Sequence, residues 1–162
     1  MTAASTDTAI FAAGCFWGVE ETFRQLPGVL STEVGYTGGT IENPTYEAVC
    51  TDQTGHAEAV KIVFDPSVIT YDALLKVFFE NHNPTTKNQQ GPDFGSQYRS
   101  AIFYGSPAQK KSAEAAVAAA GASGHWGGRP VVTQIVPAAP FYSAEGYHQK
   151  YLMKRGLGSC HL

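Results

Sequence analysis

Cys15 is the residue best suited to nucleophilic chemistry, because it stands where a strand is expected to turn into a helix. The apolar run 9–13 predicts a short buried strand, and Gly14 allows a sharp turn out of it. Free N–H groups at a helix start favour an anion, so a thiol there ionises more easily. A packed, unreactive cysteine is the alternative, and Cys15 by itself does not decide between the two.

Aromatic side chains accompany the candidate nucleophile. Phe16 and Trp17 follow it directly and would form an apolar wall, which suits a substrate group that is itself apolar. Tyr46 and Tyr98 lie in segments rich in rigid turn residues, and their hydroxyls can donate hydrogen bonds to a substrate oxygen. Each tyrosine could equally be an ordinary half-buried aromatic residue.

Glu58 carries a carboxyl group on the apolar side of a predicted strand. Strict alternation over residues 57–64 aligns Glu58 with Val60 and Ile62. Apolar surroundings disfavour the charged form, so we expect the pKa of Glu58 to rise and the carboxyl to carry a proton at neutral pH, as a general acid must. The alternative is a hydrated carboxylate at the first turn of the strand.

The other two cysteines differ in their surroundings. Cys160 lies in the glycine-containing tail 155–162, where a thiol can reach another sulfur, although an incidental free cysteine would look the same. Cys50 follows an apolar stretch without an acid or base neighbour, and we expect a structural role. The three cysteines form no C-x-x-C pair and the five histidines lack ligand-like spacing, so neither a disulfide scaffold nor a metal site is predicted.

Composition describes an ordinary compact protein. The chain has 162 residues, 43% hydrophobic and 15% charged, and we expect one domain over 1–162 with 155–162 as its tail. A net charge of −3 without a basic run argues against nucleic acid or an anionic membrane as the main partner. The N-terminal residues 1–7 lack a basic start and an apolar core of signal-peptide length, and no apolar stretch is as long as a membrane span, so we expect a cytoplasmic location.

Hydrophobic periodicity predicts the element order β-α-β-β-α-β-α-β. Thr70 and Ser106 are expected to cap two of the helices. Helices long enough to cover one face of a mixed, largely antiparallel sheet predict the α+β class, as a two-layer sandwich of ferredoxin-like character. The expected strands are near 9–13, 29–36, 57–64, 98–104 and 131–136, and the expected helices are near 16–26, 71–82, 107–120 and 143–153.

The motif Gly14-Cys15-Phe16-Trp17-Gly18 resembles the signature of the peptide methionine sulfoxide reductases of the A type, which act on one epimer of the sulfoxide. The likeness extends over nearly the whole chain. Its further motifs are Gly35-Tyr36 with Gly38-Gly39, Asn43-Pro44-Thr45-Tyr46, Gly55-His56-Ala57-Glu58-Ala59, Gly91-Pro92-Asp93 with Gly95-Ser96-Gln97-Tyr98-Arg99-Ser100, and Ala144-Glu145 with His148-Gln149.

The resemblance implies a role for each candidate residue. Cys15 would attack the sulfur of methionine sulfoxide, and Glu58 would protonate its oxygen. A sulfoxide oxygen is a poor leaving group until it is protonated. The reaction therefore needs an ionised thiol to attack the sulfur and a neutral acid to protonate the oxygen. The implied substrate contacts are Tyr46 and Tyr98 on the oxygen, Phe16 and Trp17 around the methyl group, and Asp93 in the lining of the site.

The resemblance also implies how the enzyme is recycled. Cys15 would become a sulfenic acid, Cys160 would attack it to form a disulfide, and thioredoxin usually reduces that disulfide in the family. Family members vary in this tail, and a single Cys160 implies a one-step route. The implied partners are oxidised proteins or peptides and thioredoxin, with no bound cofactor, and we expect a monomer.

Three other functions are compatible with a reactive Cys15. A thiol hydrolase would need His56 or His148 in contact with the sulfur and would release an acyl product. A peptide-binding module would bind methionine-containing peptides without turnover. A thiol peroxidase would also form a sulfenic acid, but it would consume hydrogen peroxide faster than methyl sulfoxides.

Overall fold

A computed structural model describes residues 6–14, 16–51, 54–86, 88–90, 93–122 and 129–149, and it shows a sheet with helices packed against it. The α+β class predicted from the sequence is therefore confirmed. In chain order the elements are β1 (Asp7–Ala13), α1 (Phe16–Arg24), β2 (Val29–Thr37), α2 (Tyr46–Cys50), β3 (Ala57–Phe64), α3 (Tyr71–Glu80), β4 (Gln89–Gln90), β5 (Asp93–Phe94), a first 3₁₀-helix (Ser96–Tyr98), β6 (Ser100–Tyr104), α4 (Pro107–Ala122), β7 (Gln134–Pro137), β8 (Tyr142–Ser143) and a second 3₁₀-helix (Gly146–His148).

The main sheet within the described ranges has six strands in the order β7-β6-β1-β3-β2-β8. The β1–β3, β1–β6, β2–β3 and β2–β8 pairs are antiparallel, and β6 and β7 run parallel. The sheet is thus mixed and largely antiparallel, as expected. In the β2–β3 register Tyr36 lies directly opposite Glu58, which places these two side chains on the same face.

The core lies between this face and the helices. Val60 and Ile62 of β3 belong to the same buried cluster as Phe16 and Phe23 of α1 and Leu74 of α3. The alternate residues of β3 point away from these helices, because successive side chains on a strand face opposite sides. The smaller cluster on that opposite face contains Ala57, Ala59 and Phe103.

Both predicted helix caps are present. Thr70 Oγ1 accepts a hydrogen bond from Ala73 N at 3.0 Å, and Ser106 Oγ accepts one from Gln109 N at 3.2 Å. The Gln109 side chain also donates to Thr8 O at 2.8 Å, which ties the start of α4 to β1. These local signals therefore determine where α3 and α4 begin.

The helix predicted over 143–153 is wrong for the residues that the structure describes. Ser143 belongs to β8, and after it Ala144 N donates to Val34 O at 2.9 Å. A short 3₁₀-helix at Gly146–His148 follows, and 150–153 lie outside the described residues. The segment pairs with the edge of β2 instead of forming an α-helix. The backbone N–H and C=O groups at this edge need hydrogen-bond partners, and the segment supplies them.

Two further differences concern candidate substrate contacts. Tyr98 ends the first 3₁₀-helix instead of beginning a strand, since β6 starts at Ser100. Tyr46 begins α2, which the periodicity did not predict because its 5 residues are too few to show a repeat. Thr45 caps this short helix by accepting from Ala48 N at 3.1 Å.

Replacing Gly35 by alanine is expected to destabilise the edge formed by β2 and β8. A Cβ at Gly35 would clash with Tyr142 O and lie 2.6 Å from the Phe141 ring, so the segment that contains these two residues would be displaced. Overpacking of this kind costs about 2 kcal/mol in the free energy of unfolding, measurable by urea denaturation.

Gly121→Ala is the matched control for this substitution. Its Cβ meets nothing within 4 Å and it lies in α4, where alanine favours the helix by up to about 1 kcal/mol. Equal unfolding midpoints for Gly35→Ala and the unmodified chain would contradict the predicted clash.

Candidate active site

Glu58 is buried at the start of α1. Its side chain belongs to a residue only 1% exposed, so the alternative of a hydrated carboxylate at the strand end is wrong. Oε1 accepts a hydrogen bond from Phe16 N at 3.3 Å, and Oε2 lies 3.5 Å from the donor Gln97 Nε2. The carboxyl is therefore held between the first amide of α1 and a side chain of the first 3₁₀-helix.

The turn that leads into α1 agrees with the sequence prediction. Gly14 has φ +97°, a left-handed conformation that favours glycine and lets β1 pass directly into α1. Cys15 lies outside the described residues, between Gly14 and Phe16 in the chain. The Phe16 amide that contacts Glu58 belongs to the residue immediately after Cys15.

Three of the predicted substrate contacts surround one histidine. The ring of His148 lies 5.1 Å from that of Phe16, 5.6 Å from that of Trp17 and 4.5 Å from that of Tyr46, measured between centroids. His148 is 0% exposed, and we call these four residues the aromatic cluster. The structure thus brings Phe16, Trp17 and Tyr46 together, with His148 as their common neighbour.

His148 also fixes the Trp17 indole. Trp17 Nε1 donates to His148 Nδ1 at 2.9 Å, so Nδ1 is an acceptor and a neutral ring carries its proton on Nε2. Burial lowers the pKa of His148 below its ordinary value and outweighs the carboxylates of Glu145 and Glu47, which act in the opposite direction. The neutral ring is the form that can accept from Trp17.

Glu145 connects two tyrosines from different elements. Its Oε1 accepts from the Tyr36 hydroxyl at 2.9 Å, and its Oε2 accepts from Tyr46 N at 3.0 Å. Burial of this carboxyl opposes ionisation, but hydrogen bonds from the Tyr46 and Glu145 backbone amides and the Tyr36 hydroxyl, with His148 nearby, outweigh it. Together they hold the pKa of Glu145 below its ordinary value, so it is ionised near neutral pH.

Gln149 completes the attachment of this segment to β2. Its Oε1 accepts from Val34 N at 2.9 Å, and its Nε2 donates to Val34 O at 2.9 Å and to Ala144 O at 3.0 Å. The amide of Gln149 therefore replaces the backbone of a neighbouring strand at Val34. This attachment holds the preceding turn, which carries His148, against β2.

The structure describes the remaining predicted site residues only in part. Tyr98 lies next to Gln97, at the end of the first 3₁₀-helix. The backbone of Asp93 lies in β5, but its side chain is outside what the structure describes. Cys160 and the tail 155–162 lie outside the described residues as well.

Sequence reasoning missed the roles of four polar residues at this site: Gln97, Glu145, His148 and Gln149. Each belongs to a motif through which the chain resembles the reductases, but neither spacing nor hydrophobic periodicity indicates what its side chain contacts. Apart from Ala144, which accepts from Gln149, the hydrogen-bond partners of their side chains lie 39 to 131 positions away along the chain. Only the folded arrangement assigns those partners.

His56 has a structural position. Its Nδ1 accepts from Gly39 N at 3.0 Å, and its Nε2 lies 2.6 Å from Ile41 O, to which a protonated Nε2 donates. Both ring nitrogens thus hold the loop that contains Gly39 and Ile41. This leaves neither nitrogen available as the base of the thiol-hydrolase alternative.

Two absences apply to the described part of the chain. Within it no three His, Cys, Asp or Glu side chains are grouped as a metal ion would need. Among those same residues no helix is both long and apolar enough to cross a membrane.

Comparison with known proteins places the chain among the oxidoreductases. The family model for peptide methionine sulfoxide reductase matches residues 7–162, and the chain belongs to that family. The resemblance inferred from the motifs is therefore confirmed.

Individual relatives agree with this assignment. The peptide methionine sulfoxide reductase MsrA of Geobacter sulfurreducens is 58% identical over 96% of this chain and 96% of its own length. The crystal structure of reduced Mxr1 from Saccharomyces cerevisiae is 36% identical, with a TM-score of 0.90 over 99% of this chain and 91% of that chain. Mxr1 in complex with Trx2 has a TM-score of 0.64 and 26% identity over 93% of this chain and 87% of that chain.

Proposed function

We propose that this protein reduces the S epimer of methionine sulfoxide in oxidised proteins to methionine, with Cys15 as nucleophile and Glu58 as general acid. The observation that carries the proposal is the buried Glu58 carboxyl, 3.3 Å from the backbone nitrogen of the residue that follows Cys15. Family membership supplies the reaction, and this contact supports the pairing of a thiol with an acid.

The reductive step transfers one oxygen atom. The Cys15 thiolate attacks the sulfoxide sulfur while Glu58 gives its proton to the oxygen. The hydroxyl then passes to Cys15 Sγ as the substrate S–O bond and the transient bond between the two sulfur atoms break. The substrate sulfur gains two electrons, and the Cys15 sulfur loses two as it becomes a sulfenic acid. Phe16 N and Gln97 Nε2 then donate to the carboxylate that remains on Glu58, which stabilises the deprotonated product.

The aromatic cluster provides a place for the apolar end of the substrate. Phe16 and Trp17 would contact the methyl group, because large rings offer apolar area without competing for the oxygen. The Tyr46 and Tyr98 hydroxyls would donate to the sulfoxide oxygen, and Asp93 would line the site. The contacts of Phe16, Trp17 and Tyr46 with His148 support a shared pocket for these groups.

The oxidised enzyme is recycled by Cys160 and thioredoxin in this proposal. The Cys160 thiol attacks the sulfenic acid, a Cys15–Cys160 disulfide forms and water leaves. The Mxr1–Trx2 complex among the structural neighbours supports a thioredoxin-type partner. Reduction of the disulfide by thioredoxin needs a reducing compartment, for which we propose the cytoplasm. No bound cofactor is needed, and we propose that a monomer suffices.

Strand order supports the finer description of the fold as ferredoxin-like. The run β1-α1-β2-β3-α3-β6 follows the β-α-β-β-α-β pattern, and its strands lie in the order β6-β1-β3-β2 with antiparallel neighbours. We propose that this unit is the central two-layer sandwich, to which β7 and β8 are added at the two edges.

Assays on separated sulfoxide epimers test the proposed function. We expect methionine from the S epimer with dithiothreitol or with thioredoxin and its reductase, and none from the R epimer. Faster consumption of hydrogen peroxide than of sulfoxide would favour the peroxidase alternative, and binding of methionine-containing peptides without turnover would favour the binding module.

Replacing Cys160 by serine is expected to separate chemistry from recycling. The variant retains Cys15 and Glu58, so it should release one methionine per enzyme, while thioredoxin-driven cycling should fall to background because the disulfide cannot form. The measurement is methionine release in a single turnover and at steady state. Cys50→Ser serves as a matched thiol control with full cycling, and full thioredoxin-driven cycling in Cys160→Ser would exclude the recycling role.

A further inference from the structure

We infer that Glu145 is a positioning residue whose carboxylate holds Tyr46 in place to bind the sulfoxide oxygen. The inference rests on the proposed function, in which the Tyr46 hydroxyl contacts that oxygen. It assigns to the segment after β8 a direct influence on the rate of the reductive step.

The Glu145 side chain forms hydrogen bonds with residues distant in sequence. It precedes the second 3₁₀-helix at the N-cap position yet makes no capping hydrogen bond to that helix. Instead its two oxygens accept separately from the Tyr36 hydroxyl in β2 and from the backbone amide of Tyr46 in α2. A carboxylate shared in this way restrains both tyrosines relative to each other, because each hydrogen bond is directional and charge-assisted.

One of the two tyrosines lies opposite the proposed general acid in the sheet. Tyr36 is fully buried, lies opposite Glu58 in the β2–β3 register and packs its ring 5.7 Å from Phe16. Glu145 therefore connects the start of α2 to β2, at the residue that pairs with Glu58. Such a connection restrains Tyr46 relative to Glu58, as is needed if one oxygen is to receive a hydrogen bond from Tyr46 and a proton from Glu58.

Tyr46 has a second contact with the same turn. Its ring lies 4.5 Å from that of His148, three residues after Glu145, so one turn of chain contacts both the backbone and the ring of Tyr46. The hydrogen bond to Tyr46 N fixes the position of the backbone, and the ring contact with His148 limits the positions that the Tyr46 hydroxyl can reach. Loss of the carboxylate would remove the hydrogen bond that restrains the Tyr46 backbone.

A double-mutant cycle distinguishes positioning from simple structural support. The variants are Glu145→Gln, Tyr46→Phe and their combination, with methionine release measured in a single turnover at saturating methionine S-sulfoxide. Glutamine has nearly the same shape but lacks the charge, and its oxygen can no longer accept strongly from both donors. Glu42→Gln is the control, since it removes a nearby charge from the exposed loop before α2.

We expect Glu145→Gln to slow the single turnover about tenfold in the otherwise unmodified enzyme and less than about twofold in the Tyr46→Phe background. Glu42→Gln should leave the rate unchanged. A merely structural role would lower the melting temperature but slow both backgrounds by the same factor. If Glu145→Gln fails to fold, Tyr36→Phe replaces it in the cycle, because this change frees one oxygen of the carboxylate, and the same non-additivity is expected.

Equal factors in the two backgrounds would overturn the inference, as would an unchanged rate in Glu145→Gln or in Tyr46→Phe. These failures leave the proposed function intact, provided the unmodified enzyme releases methionine from the S epimer. An unmodified enzyme that releases none would instead reject the proposed function, and the inference with it.

Discussion

Replacing Cys15 by serine is expected to abolish methionine release. A serine hydroxyl is not ionised near neutral pH, and oxygen at this position cannot accept the substrate oxygen to form a sulfenic acid. Removal of a nucleophile costs on the order of 10⁶-fold in well-studied hydrolases, so we expect a single-turnover rate below detection. The measurement is methionine formed per enzyme with dithiothreitol present in excess.

The matched control for this result is Cys50→Ser. Cys50 closes α2, is not assigned to the reaction, and its replacement should leave the rate within about twofold. Methionine release by Cys15→Ser at a measurable fraction of the normal rate would show that another thiol attacks the sulfoxide. Melting curves for both variants would verify that the folded state is retained.

Replacing Glu58 by glutamine is expected to slow the reductive step by about 10²- to 10⁴-fold, the range typical of general acids. The amide has almost the same shape and can still accept from Phe16 N, so the fold should be retained. It has no acidic proton to give, however, and the sulfoxide oxygen would have to take its proton from water. Single-turnover methionine release is the measurement.

Glu20→Gln is the control for this substitution, because Glu20 is equally buried but accepts from Thr32 Oγ1 of β2 at 2.9 Å. We expect its effect to be confined to stability, since the change alters a buried hydrogen bond to Thr32 and Glu20 has no assigned contact with substrate. An unchanged rate in Glu58→Gln would reject the assignment of Glu58 as the acid. A large rate loss in Glu20→Gln would show that the effect is not specific to Glu58.

Local patterns predicted most of the regular structure. The alternation over β3, the cap at Thr70 and the cap at Ser106 each involve residues within a few positions of one another, so their physical causes are present in the sequence itself. The same alternation placed Glu58 on the apolar face, but only the structure decided between a buried and a hydrated carboxyl. Two predictions failed: a helix was expected over 143–149, and α2 was not expected. The elements in both places are short, and their stability depends on distant partners.

The amino-acid sequence by itself determined the family, the α+β class and the residues best suited to the chemistry: a cysteine after a turn glycine and a carboxyl on an apolar strand face. The tertiary structure decided which groups surround them. Gln97 meets Glu58, Glu145 joins Tyr36 to Tyr46, and His148 gathers the aromatic rings. These contacts join residues far apart in the chain, and a hydrogen bond between such residues is specified by the packing of whole elements and not by any local spacing.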